Sequence, residues 1–179
     1  MPSAHYPHKN LEIIFDICDL IILRKKPCDF IFLTTVDRKS KFSEKCNLKK
    51  YKSLIKNIGP YNYSEALRLY SEASVVFIPS LLETFSTSYL EAIACRIPLV
   101  TADKNFSREI CGDYAFYYPA LSPINALKSI EEALLSNLSE KEPERNRILK
   151  LYGDQLSRAN KAISILISAL NNSSFSKNV

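Results

Sequence analysis

The sequence predicts an α/β fold, a parallel sheet with helices on both faces. Three observations carry that prediction. Five short apolar, β-rich runs recur along the chain, segments with apolar residues at helical spacing separate them, and Gly or Pro closes several of the runs.

Taken in order, Asn10 to Lys26 places Leu11, Ile13, Ile14, Ile17, Leu20, Ile21 and Leu23 at helical spacing, and Pro27 is expected to stop the helix. Phe30 to Val36 reads as a buried strand. A basic stretch, Glu44 to Tyr51, is expected to be helical and leads to a second strand at Ser53 to Ile58, closed by Gly59 and Pro60. Ser64 to Ser71 reads as a short helix with Ser64 as its expected N-cap. Ser74 to Ile78 is the third strand, ended by Pro79. A helix over Thr87 to Cys95, a strand over Pro98 to Thr101, a helix over Phe106 to Cys111 and a fifth strand over Tyr114 to Tyr118 follow. From Pro123 the chain reads as helical, with breaks around Pro143 and Gly153. Residues 1–152 are expected to form one Rossmann-like domain, 153–171 a C-terminal helix and 172–179 a polar tail.

A chain of 179 residues is long enough to bury roughly 70% of its unfolded surface without a disulfide or metal staple. With 46% hydrophobic and 24% charged residues, disorder and collagen-like composition are excluded. No run approaches the ~18 apolar residues of a membrane span, and the first residues lack the basic start and apolar stretch of a signal peptide, so a cytoplasmic location is expected. The five cysteines are odd in number, with no C-x-x-C pair, and are read as reduced thiols. His5 and His8 are the only histidines, which disfavours a zinc site and a serine-hydrolase triad. The charge is uneven: residues 1–58 carry 12 Lys and Arg against 6 Asp and Glu, while residues 59–179 carry 12 against 13. The surplus is densest from Arg38 to Lys56. It reads as a solvated face, or as a patch for anionic lipid headgroups or phosphorylated substrates. Nucleic acid is disfavoured, because the patch lacks aromatic interleaving and a recognised binding motif.

Ligands of open parallel sheets bind outside the carboxyl ends of the strands. The informative loop is the one after the third strand, which runs into the helix at Thr87. Glu83 stands in that loop and Glu91 in the helix. The backbone amides of Phe85, Ser86 and Thr87 are expected at the helix N-terminus, where unpaired N–H groups and the positive dipole end favour an anion. Two carboxylates flanking a phosphate site suit the hydroxyls of a sugar and a ribose. Two plainer readings stand beside this one. Ser88 and Glu91 fit an S-x-x-E capping box, and Glu83 fits an exposed loop carboxylate.

Several blocks, in order, resemble the C-terminal half of a retaining GT-B glycosyltransferase of glycosyltransferase family 4. They are Pro7-His8-Lys9-Asn10-Leu11; Ile58-Gly59; Ala66-Leu67-Arg68-Leu69-Tyr70; Phe77-Ile78-Pro79-Ser80; Glu83-Thr84-Phe85-Ser86; Glu91-Ala92-Ile93-Ala94; Ile97-Pro98-Leu99-Val100; Arg108 to Asp113; and Ala115-Phe116-Tyr117. The two glutamates separated by seven residues are the specific part. The resemblance implies a donor site for a nucleotide diphosphate sugar, in which Lys9 pairs with the diphosphate and the amides of Phe85, Ser86 and Thr87 cradle the phosphates. It further implies that Glu83 bonds the transferred sugar as the catalytic carboxylate, Glu91 the ribose, and that Gly59, Pro60 and Tyr61 lie beside the base. It implies no obligate metal or other cofactor, and transfer to a glycan or lipid-linked acceptor with retention. It argues against a glycosidase in which the two glutamates act as acid and nucleophile. Because such acceptors are often lipid-linked, the basic first third is expected to lie peripherally on the inner face of the membrane.

Departures from the family pattern shape further expectations. An arginine usual five places before the lysine is Ala4 here, and a glycine usual before the proline of the fourth strand is Arg96, which is awkward if its φ is positive. Glycine-rich phosphate turns are missing. The N-terminal GT-B domain and the first, central strand of this domain are expected to be absent, which in the strand order 3-2-1-4-5-6 leaves the strands at 30–36 and 74–78 without their shared neighbour. A marginal or partner-dependent fold is therefore expected, with an N-terminal domain supplied as a separate chain. The alternative is a non-catalytic remnant or a nucleotide-sugar-binding module.

Overall fold

In the computed structural model, described for residues 5–25 and 28–152, short parallel strands alternate with helices. The order is α1 (Ile13–Arg24), β1 (Phe32–Thr34), α2 (Lys41–Cys46), β2 (Ile55–Asn57), α3 (Tyr63–Ser71), β3 (Val76–Ile78), α4 (Thr87–Ala94), β4 (Leu99–Ala102), α5 (Asn105–Cys111), β5 (Phe116–Tyr118), α6 (Pro123–Leu134) and α7 (Glu142–Tyr152). The expectations for Ala4, Pro27, the C-terminal helix and the polar tail lie outside the described residues.

The strands form two parallel sheets rather than one. One is β1–β2, with Phe32 opposite Ile55; the other is β3–β4–β5, with Val76 opposite Leu99 and Val100 opposite Phe116. β1 and β3 do not pair, as the reading of an absent central strand requires. Between them runs a cleft of about 400 Å³, walled by Phe30 to Leu33 on one side and Ser74 to Phe77 on the other. Consecutive residues, not alternate ones, form each wall, so the cleft meets strand edges rather than sheet faces.

What holds the two sheets in one body is the layer of helices. Alternation along β3 and β4 sends Phe77 and Val100 to one face, where they join Ile14, Ile17 and Ile21 of α1 and Leu127 and Ile130 of α6 in one buried cluster with Phe32 and Ile55. The Phe32 and Phe77 rings meet at 6.2 Å between centroids, so this cluster bridges the cleft. Val76, Ile78 and Leu99 point to the other face and pack with Tyr70, Tyr89, Ile93, Ile110 and Ile148 from α3, α4, α5 and α7. Each fully buried aliphatic or aromatic side chain contributes roughly 1.5–3 kcal/mol. Among the described residues no helix is long and apolar enough to cross a membrane.

Several boundaries differ from the sequence reading, each through a local capping choice. The first helix is shorter than Asn10 to Lys26, because Asn10 (φ 51°) and Lys25 (φ 51°) both take left-handed conformations at turn ends. The second begins earlier, because the Ser40 hydroxyl accepts from the Ser43 amide at 3.1 Å and caps it, and it ends at Cys46, not Tyr51. Asn62, not Ser64, caps α3, and its amide donates to the Glu65 carboxylate at 2.9 Å. Pro143 does not interrupt a helix; it lies in the first turn of α7, where its missing N–H costs nothing. The strands keep only three or four paired residues each.

Candidate functional site

The site begins with two loops tied together by backbone. Pro7 to Lys9 form a 3₁₀ turn closed by left-handed Asn10, whose amide donates to the Pro7 carbonyl at 3.2 Å. From the other side the Leu81 amide, in the loop after β3, donates to the His8 carbonyl at 2.7 Å. This contact sets Lys9 against Glu83: Nζ donates to Oε1 at 2.5 Å, with the side chains only 22% and 8% exposed. Glu83 is thus not the exposed loop carboxylate of the plainer reading. The neighbouring Asn10 Nδ2 is buried with no hydrogen-bond partner among the described residues.

Glu91 is not a capping residue either. Ser86 is the N-cap of α4, with no side-chain cap bond, and Glu91 lies beyond the first turn. Its carboxylate instead accepts from the Tyr70 hydroxyl at 2.6 Å. Burial, and then the Glu91 charge, raise the Tyr61 phenol above its ordinary value. The amides of Ser86 and Thr87 sit at the start of an eight-residue helix with no acidic residue in its first turn. At its other end the Arg145 guanidinium donates to the Ile93 carbonyl at 2.9 Å and the Ala94 carbonyl at 3.0 Å, a cation on the negative end of the dipole. The Phe85 ring meets Tyr152 of α7 at 6.1 Å. So α7 braces both ends of the segment that carries the site.

The loop after β2 is held by Asn57. Its carboxamide oxygen accepts from the Thr34 hydroxyl and the Val36 amide, and its Nδ2 donates to the Val36 carbonyl and Ser43. Gly59 follows with φ 82°, and Arg38 donates twice to the Ile58 carbonyl, at 3.1 and 2.7 Å, lying where a Cβ on Gly59 would fall. The conformation favours glycine, and a Cβ there would require the exposed Arg38 side chain to move. Pro60 and Tyr61 continue this loop toward α3.

The structure therefore brings together Lys9 with Glu83, and sets Glu91 against Tyr70. Phe85, Ser86 and Thr87 lie on the segment between the two glutamates. Tyr70, Arg38 and Arg145 were not expected in these positions. Tyr70 belongs to a block singled out in the sequence, but nothing local there announces that its hydroxyl reaches a residue 21 positions away. The cleft between the sheets is separate from the Lys9–Glu83 pair and touches the site through Tyr61 and Tyr70.

Comparison with known proteins bears on the fold and the family. The chain resembles, over 91% of its length, 34% of a TarM variant from S. aureus crystallised with fondaparinux, alpha-GlcNAc-glycerol and UDP, at 14% identity and a TM-score of 0.73. It resembles 44% of an alpha,alpha-trehalose-phosphate synthase (UDP-forming) from Burkholderia vietnamiensis over 93% of its own length, at 13% identity and a TM-score of 0.71. The N-terminal domain of a Candida albicans trehalose-6-phosphate phosphatase matches at 14% identity and a TM-score of 0.63, over 84% of this chain and 36% of that one. These likenesses show the GT-B, Rossmann-like fold, and the chain spans less than half the length of each. No curated protein matches the sequence. The family model described as "Glycosyl transferases group 1" matches residues 3–150. The chain belongs to that family of glycosyl transferases.

Proposed function

We propose that this chain is the donor-binding half of a retaining sugar transferase, which takes a sugar from a nucleotide diphosphate sugar and works together with an N-terminal GT-B domain. One observation carries the reading: a lysine and a glutamate 74 positions apart form a close ion pair beside the start of α4, while a second glutamate lies on the same helix. A nucleotide diphosphate brings two phosphates and two sets of hydroxyls. Lys9 and the Ser86 and Thr87 amides suit the phosphates as a point charge and a dipole end. Glu83 suits the hydroxyls of the transferred sugar and Glu91 those of the ribose, with Gly59, Pro60 and Tyr61 beside the base. In this scheme the anomeric C–O bond to the leaving phosphate breaks as the acceptor oxygen bonds on the same face, and the acceptor proton passes to that phosphate. Lys9 and the helix dipole stabilise the charge on the leaving group, with no obligate metal.

The share of the structural relatives that the chain covers supports a part for a further GT-B domain in turnover. Exposed Lys39, Lys41, Lys49, Lys52 and Lys56 support peripheral contact with an anionic membrane, where a lipid-linked acceptor would lie. The alternative, a non-catalytic remnant or binding module, draws on the unpaired relation of β1 and β3.

Calorimetric titration with UDP, GDP and ADP tests the reading. Saturable binding of one nucleotide, weakened about tenfold or more in Glu91→Ala, is expected. Failure of all three to bind, with a folded protein, would remove the donor-site reading.

A further inference from the structure

Tyr70 lies on α3, only 5% exposed, and its hydroxyl donates to Glu91 Oε2 at 2.6 Å. Burial first, and the Glu91 carboxylate second, push that phenol far above its usual range, so its proton stays in place across the physiological range and the O–H remains a donor. The other carboxylate oxygen, Oε1, has no hydrogen-bond donor among the described residues. Glu91 is thus tied at one oxygen and open at the other.

A glutamate on a helix has three rotatable bonds, and its carboxylate recognises a vicinal diol only when held in one orientation. The bond from Tyr70 removes that freedom before any ligand arrives, which is preorganisation. A site built to accept hydroxyl hydrogens then rejects an analogue without them, because a charged acceptor is left unpaired.

We propose that Tyr70 is a positioning residue that locks the Glu91 carboxylate for the ribose diol and so sets a preference for ribonucleoside over dideoxyribonucleoside diphosphates. The inference rests on the reading of Glu91 given above and adds to it a residue and a selectivity.

The test compares, in the full chain, the affinity of whichever diphosphate among UDP, GDP and ADP binds with that of its 2′,3′-dideoxy counterpart. The wild-type protein is expected to favour the ribonucleotide about tenfold or more. Tyr70→Phe keeps the ring and is expected to shrink that ratio about threefold or more, with dideoxy affinity within about twofold of wild type. A merely structural Tyr70 would lower both affinities together and leave the ratio alone, which would overturn the proposal. Glu91→Ala separates the two readings. If it collapses the ratio and Tyr70→Phe does not, the positioning role fails while the donor site stands. If it leaves the ratio unchanged, or if no nucleotide binds, the donor-site reading fails and takes this inference with it. Should Tyr70→Phe not fold, the buried phenolic proton of the wild-type protein serves instead. Its NMR resonance is expected to shift with the ribonucleotide and not with the dideoxy analogue, and an equal shift with both would overturn the proposal.

Discussion

Lys9 Nζ donates to Glu83 Oε1 at 2.5 Å, and the backbone bond from Leu81 to His8 two residues before that glutamate holds the pair in register. In a protein without ligand the lysine neutralises a carboxylate that is 92% covered, so the pair is both part of the candidate site and part of the fold.

Removing only one partner should therefore have two effects. Lys9→Met leaves Glu83 in a low-exposure position without its cation and is expected to cost about 1–3 kcal/mol in urea denaturation. It should also weaken nucleoside diphosphate binding about tenfold or more, and that loss should diminish as salt is raised. Lys9→Met with Glu83→Gln should recover much of the stability and none of the binding. Recovery of both would assign Lys9 a structural role only.

Arg96 adopts φ 56°, in the left-handed region, at the place where the family usually has glycine. A non-glycine residue there costs roughly 1–2 kcal/mol. Its side chain pairs with Glu142 at 2.6 Å, but it is 67% exposed, and such surface pairs contribute about 0–1 kcal/mol. Relief of backbone strain should win. Arg96→Gly is expected to raise stability by up to about 1 kcal/mol, seen as a higher urea midpoint with unchanged slope. A lowered midpoint would mean that the bond to α7 outweighs the strain.

Asp19 on α1 gives a pH signature. The Lys50 ammonium at 2.9 Å first, and the Tyr51 hydroxyl at 3.0 Å after it, hold its carboxyl below the usual carboxylate range. A carboxyl whose folded value is depressed contributes stability above its unfolded value, near 3.9, and loses that contribution as pH falls through the folded value. Asp19→Asn should therefore lower the melting temperature slightly at pH 7, and the difference from wild type should close below about pH 4. Because both side chains are about half exposed, the effect is small and salt-sensitive. A difference that persists undiminished at pH 3 would assign it to packing instead.

The two glutamates show how much of the site was legible. Their spacing and the family blocks pointed to Glu83 and Glu91, and Lys9 was implied by the resemblance. The capping-box alternative for Glu91 was equally consistent with the local sequence, and only Ser86 taking the cap, with the carboxylate turned to Tyr70, removed it. Arg145 and Arg38, which brace the site through backbone carbonyls, carry no local signal, because one arginine looks like another in sequence.

By itself the sequence determined the alternation of strand and helix, the parallel pairing and the family, because apolar periodicity and short motifs are local and survive without knowing what lies across the fold. Tertiary structure decided the rest. Contacts such as Lys9 with Glu83 and Tyr70 with Glu91 depend on how helices pack over strand edges, as do the cleft between β1 and β3 and the strained turn at Arg96. Side-chain chemistry at one position does not encode its distance from another until the core between them has closed.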